Sequence, residues 1–272
     1  ISSGSPESLI STGFLRMGPW EQTGMSVFKE TRQFWLDDVT DSVGQTFLAH
    51  PMQCAKCHDH KFDPVPTRDY YRMMAIFSTT QFAEHEVTFL KNENLNHFES
   101  SHNLVKTKIN GYEKQRSALE QKMQANRKDE TGDAKIGDNG LDPGDEASNA
   151  RILKNISRHK IEADRTKPRA HGVFTGKTVK KKNISGLIEP VTKPWDGPGY
   201  IEKDTILTGG SVYSPGDSVK PGALSAAESL GKMKPSSFPD GKGKRRLALA
   251  NWIVDAANPL TARVIVNRVW SW

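Results

Sequence analysis

Cys54-Ala55-Lys56-Cys57-His58-Asp59-His60-Lys61-Phe62-Asp63-Pro64 is the stretch on which the reading of this chain turns. It holds both cysteines of the 272-residue sequence, three positions apart, with a histidine directly after the second. Chance gives that arrangement in about 1 chain of this composition in 5,000, so the pattern is treated as chemistry.

Cys-x-x-Cys-His is the attachment signature of c-type haem. Thiols at this spacing match the two vinyl groups of the porphyrin, and the adjacent imidazole reaches the iron. Cys54 and Cys57 are then covalent anchors and His58 the proximal ligand. Other chemistry fits parts of the pattern. A redox dithiol needs a strand before the first cysteine and a helix opening at it, whereas 29–49 reads as a helix. A zinc site drawn from Cys54, Cys57, His58 and His60 is compact for tetrahedral ligation, and the chain offers no second cysteine pair. A disulfide between the two thiols stays open.

For the distal side of the iron, His60 is a poor ligand, because it lies two residues from His58 and the two must approach opposite faces. Thioether or imidazole candidates are Met73, Met74, His50, His85, His97 and His102. Each also has an ordinary reading, the methionines as core and the histidines as surface. An open iron face would favour catalysis, with His60, Asp59 or Asp63 moving protons, although a structural role for these three is the simpler expectation.

Outward from the motif, Phe34, Trp35, Val39, Val43, Phe47 and Leu48 recur at helical spacing, predicting a helix over 28–48 that Pro51 blocks. Asp63-Pro64-Val65-Pro66 is a turn. Tyr70, Tyr71, Met74, Ile76 and Phe77 then predict a second helix capped by Thr67 or Asp69. Its aromatics line either a haem edge or an ordinary core. The stretches 95–123 and 147–163 predict a polar helical hairpin with a tip at 129–145 rich in Asp, Gly and Asn. From 165 to 240, short apolar runs such as Gly172-Val173-Phe174 and Thr205-Ile206-Leu207 predict short strands. Turns are expected at Gly209-Gly210 and Pro215-Gly216-Asp217, and a solvated loop at Lys180–Lys182. A helix over 247–254 and another after Asn258-Pro259, read as N-cap and first turn, complete the chain. Arg263, Asn267 and Arg268 on the last helix read as surface pairing.

Composition sets the limits. Apolar residues are 35% and charged residues 26%, with 15 prolines and 22 glycines, which describes a loop-rich globular chain. No apolar run of about 18 residues exists to span a membrane. The formal charge of +6 is dispersed and does not interleave with aromatics, so nucleic acid is not an expected partner. The chain opens at Ile1 without a leader and closes at Trp272 inside an apolar periodic pattern, which reads as an internal piece of a longer protein.

Several strings together resemble secreted cytochrome proteins of Planctomycetes, in which a cytochrome c-like domain of unknown function precedes a second planctomycete-specific one. They are Thr12–Arg16 with Gly18-Pro19-Trp20, Leu36–Val39, Cys54–Pro64 through Asp69–Tyr71, Leu207–Gly210 with Pro215–Val219, Arg245–Ala250, and Asn258–Val264 with Val266–Trp270. The resemblance implies a c-type haem domain exported to the periplasm or cell surface, with the signal peptide outside this piece. It carries over Cys54 and Cys57 as attachment residues and His58 as iron ligand, and supplies no reaction.

The expected fold is mainly α with a short-stranded irregular region, the haem segment lying between helices. The expected domains are 1–164 with the haem motif and hairpin, 165–240 as a junction, and 241–272 as the start of a second helical domain. The expected function is an electron-transfer module with an unidentified redox partner. A haem oxidoreductase is the alternative within redox chemistry. A surface interaction protein, near polysaccharide and with a structural haem or a Cys-pair metal site, is the alternative outside it.

Overall fold

The computed structural model describes residues 5–21, 25–93, 95, 97–128, 139–165, 167–180, 198–230, 237–241 and 243–272. The chain forms two compact units, one of residues 1–87 with 169–272 and one of residues 88–168. Most described residues are helical and the sheets are small, so the mainly α expectation holds.

The first unit is built around two helices that flank the cysteine motif. Helix α1 (Pro6–Ser11) is capped by Ser5, whose hydroxyl accepts from Ser8 N. Helix α2 (Phe28–Val43) buries Trp35, Leu36, Val39 and Val43. It runs on through a wide π-turn, Gly44–Leu48, and stops at Ala49, which takes a left-handed φ of 53°. Such widened turns frequently accompany functional sites. Gly44 is required here, since a Cβ would come within 2.7 Å of Met52 and 2.8 Å of the His50 carbonyl. The predicted 28–48 helix is thus one continuous segment whose last turn is re-aimed toward the motif.

Helix α3 (Thr67–Phe77) packs Tyr70, Tyr71, Met73, Ile76 and Phe77 against α2 in one core with Leu249, Trp252 and Ile253 of α7 (Arg245–Ile253). These aromatics are core. The expected cap at Thr67 or Asp69 is corrected: Pro66 holds the N-cap position, and Asp59 Oδ1 reaches forward to accept from Thr67 N at 2.8 Å. Asp69 instead pairs with Arg72 at 3.0 Å and accepts from Ser225 N and Oγ.

Strand β1 (Thr80–Glu86) follows α3 directly and pairs antiparallel with β2 (Arg169–Thr175), Thr80 opposite Thr175 and Glu86 opposite Arg169. The turn Thr12–Arg16 lies on this ladder: Arg16 Nη1 donates to the Ala83 carbonyl, and a Cβ on Gly13 would meet the His171 carbonyl at 2.8 Å. Trp20 and Trp35 both meet Phe82 edge to face. Strands β3 (Thr178–Val179) and β4 (Gly199–Tyr200) form a second short pair. A third joins β5 (Thr205–Leu207) to β6 (Pro215–Ser218), so the expected turn at 215–217 is a strand. Gly209 and Gly210 do turn, with φ of 59° and 75°. Of the Lys180–Lys182 loop, residues 181 and 182 lie outside the described residues.

Helix α6 (Ser225–Leu230) precedes α7, and α8 (Thr261–Ser271) ends the chain. Asn258 does not cap α8 as expected. Leu260 holds the cap position, while the Asn258 side chain is buried between Trp252 O and Leu260 N. Arg268 donates to the Gln45 carbonyl at 2.9 Å. Among the described residues no helix is long and apolar enough to cross a membrane.

The second unit is the predicted hairpin, α4 (Phe98–Lys128) and α5 (Pro143–Arg165). Tyr112 stacks on His159 between the two helices, and Lys160 pairs with Glu113. Of the expected tip, 129–138 lie outside the described residues.

Candidate functional site

Cys54 lies in a short 3₁₀ turn, Gln53–Lys56, and the N–H of Cys57 closes it on the Cys54 carbonyl at 3.4 Å. Both thiols are free and exposed, and His58 beside them is exposed. Ala55, between the thiols, is fully buried and pins the turn to the core.

Three elements hold this turn from below. From α2, Asp41 Oδ1 accepts from Met52 N at 2.6 Å and Gln53 N at 3.0 Å. Asp37, also on α2 and buried, accepts from Lys56 Nζ at 2.6 Å, Tyr70 OH at 2.5 Å and Gln33 Nε2 at 2.7 Å. From α3, Tyr71 OH donates to the Lys56 carbonyl at 2.9 Å and lies 3.2 Å from the Leu207 carbonyl. From the β5–β6 tip, the Gly209 carbonyl lies 3.5 Å from Cys57 Sγ. A Cβ on Gly210 would sit 2.9 Å from that sulfur. The turn that presents the thiols is therefore more firmly held than its exposure suggests.

Gly210→Ala combines a left-handed backbone with that contact and is expected to cost about 1–3 kcal/mol. Gly209 shares the positive φ, but a Cβ there would meet nothing within 4 Å. Gly209→Ala therefore shows only the backbone part, about 1 kcal/mol. Urea unfolding of both variants measures the difference; equal losses would remove the role given to the Cys57 contact.

The two histidines differ in their ring nitrogens. His58 Nδ1 lies 2.8 Å from the Asp59 carbonyl, which can only accept, so Nδ1 carries the proton and Nε2 is the bare nitrogen. Iron-binding histidines are commonly oriented in this way. His60 Nδ1 accepts from Asp63 N at 2.9 Å and from Phe62 N at 3.4 Å, while the His60 backbone N–H donates to the Val65 carbonyl. Its neutral ring thus carries hydrogen on Nε2, and its side chain braces the 60–65 loop. Asp63 lies between His60 and His50, at 3.3 and 3.9 Å. Asp59, His60 and Asp63 all hold the loop and the start of α3.

The distal candidates are scattered. Met73 and Met74 are core, and the Met74 sulfur lies 3.2 Å from Gln33 Nε2. His85 is in β1, 3.2 Å from the Val173 carbonyl, and His97 and His102 belong to the second unit. His50 is the one joined to the motif's own loop. Among the described residues no group of three or more His, Cys, Asp and Glu has a metal-holding arrangement.

The buried tyrosines make a pH prediction. Burial foremost, then the Asp37 carboxylate, pushes the Tyr70 and Tyr71 hydroxyls well above the usual tyrosine range. The folded chain keeps these protons above pH 10 while the unfolded chain releases them, so stability falls as pH rises through that range. Tyr70 alone contributes a loss of up to about 1.4 kcal/mol per pH unit there. Absorbance at the tyrosinate band is expected to show these two hydroxyls ionising only together with unfolding. Smooth titration of all five tyrosines in a folded chain would contradict the arrangement.

Sequence reading missed Asp37, Asp41 and the Leu207–Gly210 tip as parts of this site. Asp37-Asp38 reads as a charged helix face, and nothing in its spacing points to Lys56 or Tyr70.

The site defined so far is a braced surface turn carrying two thiols and an oriented imidazole, on a helical core. Residues 1–82 match the family described as PSCyt2, a protein of unknown function (DUF1549), and residues 245–272 match PSD1, a protein of unknown function (DUF1553). These matches, in this order, are consistent with the planctomycete-type two-domain family that the sequence resembles, and they leave 83–244 unmatched. No curated protein and no solved structure matches the chain.

Proposed function

We propose that this chain is a c-type haem attachment module that serves electron transfer in an exported protein. The observation that carries the reading is the pairing of two free, exposed thiols with an adjacent His58 whose Nδ1 is committed to a backbone carbonyl. The residues present fit the group. Cys54 and Cys57 would hold it covalently, each thiol S–H adding across one vinyl group with no change of oxidation state. His58 would hold the iron through Nε2, its ring directed by the bond from Nδ1 to the Asp59 carbonyl. The bound group supplies one-electron chemistry. Asp37, Asp41 and Tyr71 keep the turn rigid, so that the anchors and the ligand hold one spacing.

Electron transfer is favoured over a catalytic haem because Asp59, His60 and Asp63 are engaged in holding their own loop. Export follows from the same resemblance that implies the haem.

The test is a set of three variants made in a host with c-haem maturation. Cys54→Ala and Cys57→Ala are each expected to lose most covalently retained haem. His58→Ala is expected to keep the chain folded while shifting the absorption bands of whatever haem remains. Unchanged covalent haem in both cysteine variants would overturn the reading.

A further inference from the structure

A cleft of about 610 Å³ opens beside α3, on the first unit and apart from the cysteine turn's own contacts. Its volume lies within the range of small-ligand sites, about 300–1,000 Å³. Arg68 and Arg72, one helical turn apart on α3, line it together with Lys220. Val219 and Phe238 supply an apolar floor, both largely buried.

The three cations are not equally occupied. Arg72 donates to Asp69 at 3.0 Å, and its guanidinium lies flat against Gly222, where a Cβ would come within 2.4 Å of Nη2. It is therefore held in a fixed direction. Lys220 pairs with Asp240 at 3.2 Å, but both side chains are mostly exposed, and such a pair exchanges readily for another anion. Arg68 has no hydrogen-bond or ion-pair partner among the described residues. Among the described lining residues Asp240 is the one carboxylate against three cations, and Asp69, which pairs with Arg72 from outside the lining, leaves one positive unit over.

We propose that this cleft binds a small organic phosphate, the dianionic group between Arg68, Arg72 and Lys220 and the uncharged body over Phe238 and Val219. Arginine forks suit phosphate oxygens, and an aromatic floor suits a flat body. With Arg72 held by Asp69 and Lys220 by Asp240, Arg68 meets one negative charge of the ligand, and the second is met when Lys220 exchanges Asp240 for it. The observations behind this site do not involve Cys54, Cys57 or His58.

The test is calorimetric titration of the whole chain at pH 8 and low ionic strength with phenyl phosphate, inorganic phosphate and benzoate. Phenyl phosphate is expected to bind most tightly. Arg68→Gln and Lys220→Gln, both exposed positions, are each expected to weaken it by about tenfold, the size of one charge-assisted contact. Asp240→Asn is expected to tighten it. Far-UV circular dichroism and thermal melts show that the variants stay folded. Undetectable binding at millimolar concentration, or an affinity in Arg68→Gln and Lys220→Gln unchanged from that of the unaltered chain, would overturn the site. Inorganic phosphate binding as tightly as the ester would overturn the organic body, and benzoate binding as tightly would overturn selection for a dianion.

Discussion

Asp37→Ala is expected to lower the unfolding free energy of the chain by about 3–5 kcal/mol, the usual cost of removing one partner from a buried charge pair. The carboxylate gathers three donors, Lys56, Tyr70 and Gln33, from two helices and the cysteine turn. Without it, the Lys56 ammonium, 19% exposed, loses its counter-ion, and the buried Tyr70 hydroxyl loses its acceptor. Each orphaned group adds its own desolvation cost. In a unit of this size the melting temperature falls by roughly 10 °C.

Lys56→Met is the informative control. It removes the same ion pair but leaves Asp37 with Tyr70 and Gln33, so a smaller loss of about 1–3 kcal/mol is expected. The double variant, compared with the two singles, isolates the Asp37–Lys56 coupling. Denaturant unfolding of the set is the measurement. An Asp37→Ala loss below about 1 kcal/mol would mean that the cysteine turn is not anchored through Asp37.

Arg245→Met has an effect of similar size, about 3–5 kcal/mol, at the other end of the core. Arg245 is buried and donates to the Ala75 carbonyl, Ser78 Oγ and Asp204 Oδ2, and to the carbonyls of Asp240 and Gly241. It thereby fastens the start of α7 to the end of α3, the two stretches matched by the two family descriptions. Methionine fills part of the volume and satisfies none of these acceptors.

Asp204 gives this variant a pH signature. Burial foremost pushes its carboxyl above the usual aspartate range, while Ser78 and Arg245 pull the other way. Because the folded chain holds this proton more tightly than the unfolded chain, stability falls as pH rises from about 4 through the folded value. Losing Arg245 carries the folded value higher and extends that decline. The deficit of Arg245→Met is therefore larger at pH 7 than at pH 4, and adding Asp204→Asn recovers part of it. A deficit independent of pH would mean that Arg245 acts by packing alone.

The helices α2, α3, α7 and the hairpin were legible because each shows its own periodicity. Strand β1 was not. Thr80–Glu86 carries little alternation, and its partner β2 lies more than 80 residues away, beyond the whole second unit. Pro215–Ser218 has turn residues throughout and is exposed at every position, so only its pairing with β5 makes it a strand. Local propensity gives way there to a ladder that it cannot announce.

At the site, the residues that carry chemistry were legible and those that support them were not. Cys54, Cys57 and His58 identify themselves by type and spacing. Asp59 caps α3 and His60 braces a loop, roles that residue type alone does not separate from proton transfer. Both roles depend on a backbone N–H several residues away, which only the folded path brings near. The glycines at 209 and 210 announced a turn, but not that the turn lies under Cys57.

The most direct test of the central claim is an absorption spectrum of the chain exported from cells with c-haem maturation machinery, oxidised and then reduced with dithionite, followed by acid-acetone extraction and a pyridine haemochrome assay. The account predicts a Soret band, sharp reduced α and β bands, and absorbance that stays with the protein through extraction. A protein without Soret absorbance, or one whose colour leaves entirely with the solvent, would contradict covalent haem at Cys54 and Cys57.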